Sequence, residues 1–523
     1  MGQDARLHRR ITWVGVFWVV TGVPALVLIS MGDIAATVGG PAWAIWTVSV
    51  LIGFVQGFIY AELGGIFPNK SGGASVYGAA AWVRYAKVIA PFSVWCNWLA
   101  WSPVLAIGCG VAAGYLLDAA FLPEDPARSW EIPLADLSFL KEGLLIRIDS
   151  TFLLGAVLML ICFAIQHRGI SGTARLQMAM GIAVILPLLL IGLVPLFIGE
   201  VQLANLTPFT PGPDPATAAW DLQGWSLVIG GLFLAAWTTY GFETAICYTS
   251  ELTDPKRDTL KAIVYSGLLC ILVFTLVPFT FQGALGLKEM QAPGIIDGTG
   301  VAGAIAGFFG GSGGALYDLA VVLMVLAVML AIMTAMAGSA RTLYQGSVDG
   351  WLPRYLGHVN EKGAPTKAMW TDLSFNLLLL SLSDYFFVLA VSNVCYIVFT
   401  FMNVNACWMH RFDAAHVQRP WRNPRWLLAL AILLSFFNLF LLGAGIHVWG
   451  EGALFAGLVA ILLIVPVFLY RHYLVDRGVF PHRMLEDLHL DETGRLPERR
   501  AGLLPFATLG AGGLVVLVSN LLF

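Results

Sequence analysis

WSLVIGGLFLAAWTTYGFETAICY, residues 225–248, is apolar over a length that crosses a bilayer, for which roughly 20 residues suffice. Near its middle stand Trp237 and then Tyr240-Gly241-Phe242-Glu243. A charged side chain at that depth costs about 2.5 to 3.5 kcal/mol, and a glycine inside a helix weakens it. A span that keeps both is expected to break there and to expose backbone N–H and C=O groups. A second stretch has the same character. In ITWVGVFWVVTGVPALVLISM, residues 11–31, the segment Gly22-Val23-Pro24-Ala25-Leu26 places a proline where it removes one ladder hydrogen bond.

The rest of the chain sets these stretches in a membrane. Of 523 residues, 58% are hydrophobic and only 12% charged, against about 25% charged in a soluble chain. A net charge of -3 leaves no basic surplus for phosphates, which argues against nucleic acid as a partner. All seven cysteines lie in apolar runs without a C-x-x-C pair, so neither a disulfide framework nor a zinc site is expected, and no cofactor is implied. A nucleotide loop of the form G-x-x-x-x-G-K-[ST] is missing, which removes ATP as the direct energy source. Apolar runs near 12–39, 43–64, 88–117, 151–166, 178–199, 225–248, 262–284, 314–338, 370–388, 390–409, 427–448, 452–472 and 502–523 predict 12 to 13 spans. The first is too long for a signal-peptide core and is read as retained.

Lysine and arginine orient the spans, because they stay preferentially on the cytoplasmic side. With residues 1–11 placed inside, only Arg128, Lys141, Arg147 and Lys288 of the 29 basic residues fall on outer segments. The chain is thus expected to be a multi-pass protein of a cytoplasmic membrane, in contact with the lipid bilayer, with a cytoplasmic N-terminus. Loop lengths add a repeat. Long connections at 65–87 and 118–150, then a short turn, recur five spans later as 285–313, 339–369 and another short turn. A repeat of five spans is odd and must invert, as in transporters built from two inverted halves with interrupted first helices. The expected architecture is an all-α polytopic membrane protein with a first repeat at 12–199 (spans 1–5) and a second at 225–409 (spans 6–10). Spans 11 and 12 follow at 427–472, then a cytoplasmic segment at 473–500 and an extra span 13 at 501–523.

Glu243 reads as the deepest carboxylate, since Asp33, Glu62, Asp118, Asp318, Asp372 and Asp384 sit near predicted span ends. Its candidate roles are a gate, a proton acceptor or a counter-charge for an amine; the structural alternative is a cap for amides freed at the break.

Three ordered landmarks carry a family resemblance. Tyr60-Ala61-Glu62-Leu63, Phe67-Pro68 and Ser71-Gly72-Gly73-Ala74-Ser75-Val76-Tyr77-Gly78 form the first, and Tyr240-Gly241-Phe242-Glu243 with Glu251 and Asp254-Pro255-Lys256-Arg257 the second. The third is Ala340-Arg341-Thr342-Leu343-Tyr344 with Asp349-Gly350 and Leu352-Pro353. Together they resemble the amino acid-polyamine-organocation (APC) superfamily of permeases. The resemblance implies a five-plus-five inverted-repeat (LeuT-like) core, in which the backbones of broken spans 1 and 6 meet the substrate's amino and carboxyl groups. It places substrate contacts on Gly22, Val23, Pro24, Ala25 and Leu26 and on Trp237, Tyr240, Gly241, Phe242 and Glu243. The chain departs from the family in having Gly22-Val23-Pro24-Ala25-Leu26 where a glycine-rich break is usual, and Val184 where some members carry a lysine.

The remaining signals are weaker. Asn97 and Trp101 share a helical face at i, i+4 and are candidate cavity-lining residues. Thr334 and Ser339 on span 8 are candidate sodium ligands beside carbonyls freed near Gly22, with Glu243 the candidate proton-coupling group. Gly310-Gly311-Ser312-Gly313-Gly314 matches a nucleophile pattern but has no preceding strand, so a hydrolase is not expected. These readings describe a secondary active transporter, symporter or exchanger, of amino acids or related amines, with a proton or sodium ion as candidate partner. An amino-acid-sensing receptor on the same fold and an intramembrane enzyme are the alternatives.

Overall fold

Long apolar runs with few charges satisfy their backbones internally as helices, and helices dominate this chain. The computed structural model describes all residues except 1–6, 8, 123, 297, 299, 309–313, 416, 450, 451, 483 and 485–498. Among the described residues, ten helices are long and apolar enough to cross a membrane, eleven when the bent pieces of span 1 are joined. The helices expected as spans 4 and 9, Ser150–Gln166 and Thr366–Leu380, have 17 and 15 residues and fall short of that measure. Helix ends follow local chemistry. Asp149, Asp221 and Asp384 cap the N-termini of spans 4, 6 and 10, accepting from the N–H of Phe152, Gly224 and Phe387 at 2.7, 2.8 and 2.9 Å. Gly199, with φ of 81°, ends the long helix Ile170–Ile198.

The two interrupted spans lose α-helical geometry where the sequence predicts it. Span 1 runs as a helix Trp13–Val20, a 3-10 turn Val23–Leu26 and a helix Val27–Val38. Span 6 is helical over Leu222–Thr239 and continues as a 3-10 segment Gly241–Glu251. Span 3, continuous over Ala90–Ala120, carries a turn at Ser102-Pro103 between its helical pieces Ala90–Trp101 and Val104–Ala120. Nothing in the hydropathy announced that turn.

Packing brings the parts together. Span 2 lies along span 7, span 3 along spans 8 and 10, and the last helix, Leu504–Leu522, along span 11. An antiparallel hairpin, Glu131–Asp136 with Leu145–Asp149, fills the connection between spans 3 and 4, a small β element in a chain expected to be all-α. At the end carrying the 2/3 and 8/9 connections, buried ion pairs tie the elements: Lys70 to Asp349 at 2.7 Å, Arg411 to Glu62 at 2.6 Å, and Arg341 to Glu251. Tyr248 lies under the Arg341 guanidinium at 4.9 Å. The glycine-rich stretch 310–314 lies almost wholly outside the described residues, as does most of 473–500.

Candidate functional site

Gly22 explains how broken span 1 reaches the centre. A Cβ there would stand 2.6 Å from the backbone of Leu330 and Ala331 on span 8, so only glycine allows the two main chains to touch. The carbonyls freed by the break find side-chain donors. Thr334 donates to Val19 O at 2.5 Å, Gln177 donates to the same oxygen at 3.4 Å, and Thr21 donates to Trp18 O at 2.7 Å. In span 6, Thr244 donates to Gly241 O at 2.8 Å. Gly241 faces the first break: a Cβ on it would meet Val23 at 2.7 Å and Trp101 at 3.1 Å.

Between these elements lies a small closed cavity lined by Val23, Leu26, Trp101, Val104, Thr244, Ala331, Thr334 and Ala335. Its free space, about 10 Å³, holds about one water. The walls are aliphatic or aromatic apart from the two threonine hydroxyls. Glu243 lies one residue before Thr244, is 3% exposed, and has Tyr60, Tyr396 and Trp101 as polar neighbours. Its Oε2 and the Tyr60 hydroxyl make no hydrogen bond, and among the described residues no cation pairs with it.

The structure distributes the expected residues unevenly. Val23, Leu26, Gly241 and Trp101 meet at the cavity, with Glu243 beside it. Pro24 and Ala25 are buried in the 3-10 turn. Trp237 is held away by hydrogen bonds to Ala100 O at 3.1 Å and Ser392 at 2.9 Å, and Tyr240 donates to Asn438 on span 11 at 3.1 Å. Phe242 packs against Gly57 and Gly267 of spans 2 and 7. Asn97 does not share the cavity with Trp101; it donates to Gly72 O and Thr342, both at 3.0 Å. Thr334 turns to span 1, while Ser339 donates to Asp372 at 2.6 Å, so the two hydroxyls do not share a site.

One reading of depth needs correction. Asp372, expected near a span end, is fully buried, because its helix begins four residues earlier than predicted and packs under span 3. The sequence also left Val104, Thr244, Ala331, Ala335 and Tyr396 unmarked, and marked Tyr60 only within a family landmark; the pair Ala331 and Ala335, small residues at i, i+4 on span 8, was the available signal.

The amino acid permease family model matches residues 11–467. The chain belongs to that family. The permease is similar to a branched-chain amino acid permease of Lactococcus lactis, 24% identical over 352 residues that span 65% of this chain and 68% of the other. An L-methionine/branched-chain amino acid exporter of Escherichia coli is 26% identical over 49% of this chain, which spans half of that relative's length. The large neutral amino acids transporter small subunit 2 of Rattus norvegicus is 23% identical over 83% of this chain and 74% of its own. These relatives are transporters, not enzymes, and amino acid transport by a multi-pass membrane protein is the function the family supports.

Proposed function

We propose that this permease carries amino acids with apolar side chains by alternating access, as a secondary active transporter of a cytoplasmic membrane with its N-terminus inside. The observation that carries the reading is the lining of the cavity: Val23, Leu26, Trp101, Val104, Ala331 and Ala335 offer a substrate side chain apolar contact, and the charged group beside them is Glu243 alone among the lining and its polar neighbours. Glu243, buried without a cation, supplies the charge complement for the substrate's ammonium group. The 3-10 turn at Val23–Leu26, in which Pro24 carries no N–H and Ala25 donates to Gly22 O at 3.2 Å, is the stretch of backbone assigned to the substrate's carboxylate end, by analogy with transporters whose helices are discontinuous. With room for about one water, the cavity is collapsed, and admitting an amino acid requires spans 1 and 6 to part from spans 3 and 8. Loss of α geometry at matching places in spans 1 and 6, five spans apart, supports a five-plus-five inverted repeat and, with it, this movement. The names of the relatives point the same way.

The test is counterflow in proteoliposomes preloaded with leucine. Radiolabelled leucine should enter, methionine and valine should compete, and arginine, glutamate and putrescine should not. Saturable binding without flux would make the protein a receptor, and chemical alteration of the label would make it an enzyme. Preference for arginine or putrescine over leucine would overturn the assignment of substrate class.

A further inference from the structure

A second buried carboxylate stands outside the solute cavity. Asp372 is 0% exposed, and its oxygens accept from neutral donors: Trp98 Nε1 at 2.8 Å and Ser102 Oγ at 2.6 Å on Oδ1, and Ser339 Oγ at 2.6 Å on Oδ2. Asn376, one helical turn on, donates to Ser102 Oγ at 2.7 Å and to Asp372 O. The charged and titratable groups of the neighbouring elements are engaged elsewhere. Arg341 of span 8 pairs with Glu251, Arg354 of the 8/9 connection with Asp476, and Asp118 of span 3 with Arg128. Tyr355 bonds Thr371, Lys367 is exposed, and Cys109 and Cys162 face each other between spans 3 and 4.

We propose that Asp372 is a proton-binding site of the transport cycle and a positioning residue for the Ser102-Pro103 turn of the third span. The network accepts either state of the carboxyl without moving a heavy atom. Ionised, Asp372 receives three hydrogens; protonated at Oδ2, it donates to Ser339 Oγ, whose own hydrogen then turns to Met336 O at 3.3 Å. Two opposing effects keep both states within reach: a dry interior without a cation favours the neutral acid, and three donated hydrogen bonds favour the ionised form, so a change in the distance between spans 3 and 8 shifts the balance. The consequence reaches the solute. Ser102 sits in the turn of span 3 directly after Trp101, which walls the cavity, and Ser339 lies one turn from Ala335, which lines its opposite side.

The inference rests on the transport reading but not on its substrate. In proteoliposomes, the parent should accumulate leucine under an imposed proton gradient, and Asp372→Asn should lose that accumulation while keeping leucine exchange within about threefold, because asparagine mimics the neutral acid. Ser339→Ala should retain accumulation but shift its pH profile. Infrared difference spectra of the purified protein need no substrate: in a Glu243→Gln background, which removes the other buried carboxyl beside the cavity, a carboxylic acid C=O band that fades as pH rises should be present and should be lost when Asp372→Asn is added. Parent-like accumulation in Asp372→Asn, loss of exchange along with accumulation in the folded variant, or an unchanged band would each overturn the proposal. If Asp372→Asn does not fold, an unaltered pH profile in Ser339→Ala overturns it. Failure of leucine to move at all, with the band assigned to Asp372, would discard the substrate class and leave the proton site standing.

Discussion

At the level of single residues, the cost of burying Glu243 decides how its role is tested. A carboxylate kept 3% exposed with one oxygen unbonded is a liability unless something cationic arrives. A charge-assisted hydrogen bond to the substrate's ammonium contributes about 1.5 to 3 kcal/mol. Glu243→Gln, which keeps size and one acceptor, should therefore weaken leucine binding by about 10- to 150-fold, read by thermal shift or direct binding. Parent-like affinity would remove Glu243 from the substrate site and return it to a structural role at the break. If uptake by the variant retains both rate and pH profile, Glu243 is not the proton acceptor either. Gly241 was legible from the sequence as a break residue, but its neighbours were not. Its contact with Val23 and Trp101 predicts that Gly241→Leu, which has no room beside either, abolishes uptake while the protein remains folded in the membrane. Retained uptake would place the solute elsewhere.

At the level of elements, the breaks in spans 1 and 6 were readable because glycine and proline mark them whatever surrounds them. The turn in span 3 was not read, although Pro103 marks it as Pro24 marks span 1; what no local signal shows is its anchor, Asp372, 270 positions away in sequence. Ion pairs between elements were equally hidden. Arg341 reads as one of several basic residues near the end of span 8, yet its side chain is 4% exposed and holds Glu251, 1% exposed, at the end of broken span 6. Removing one partner of such a pair leaves an uncompensated charge and typically costs about 3 to 5 kcal/mol. Arg341→Met should lower thermal stability by that order, and Arg341→Met with Glu251→Met should recover much of it. A double variant no more stable than the single one would show that the pair does not couple spans 6 and 8.

At the level of the whole molecule, the asymmetry of lysine and arginine predicts topology independently of any contact. Cysteines introduced at 130 and 300 should react with an impermeant reagent from outside, and those at 75 and 360 should not; labelling at 75 would invert the assignment. The sequence by itself determined that this chain is a multi-pass membrane protein and where the helices of spans 1 and 6 lose α geometry. Those properties are local: hydropathy over about 20 residues decides whether backbone is buried in lipid, and proline or glycine interrupts a helix at its own position. Only the tertiary structure decided which side chains meet. Trp237, Tyr240 and Phe242 surround Gly241 in sequence, yet each is turned outward into packing with spans 2, 7, 10 or 11. The cavity is completed instead by Trp101, Val104, Ala331 and Ala335 from spans 3 and 8. A helix presents a new face about every 100°, so neighbours in sequence point apart, and which face turns inward is settled by close packing against partners far along the chain. For the same reason, Asp372 looked like an ordinary residue near a span end until Trp98, Ser102 and Ser339 were brought around it.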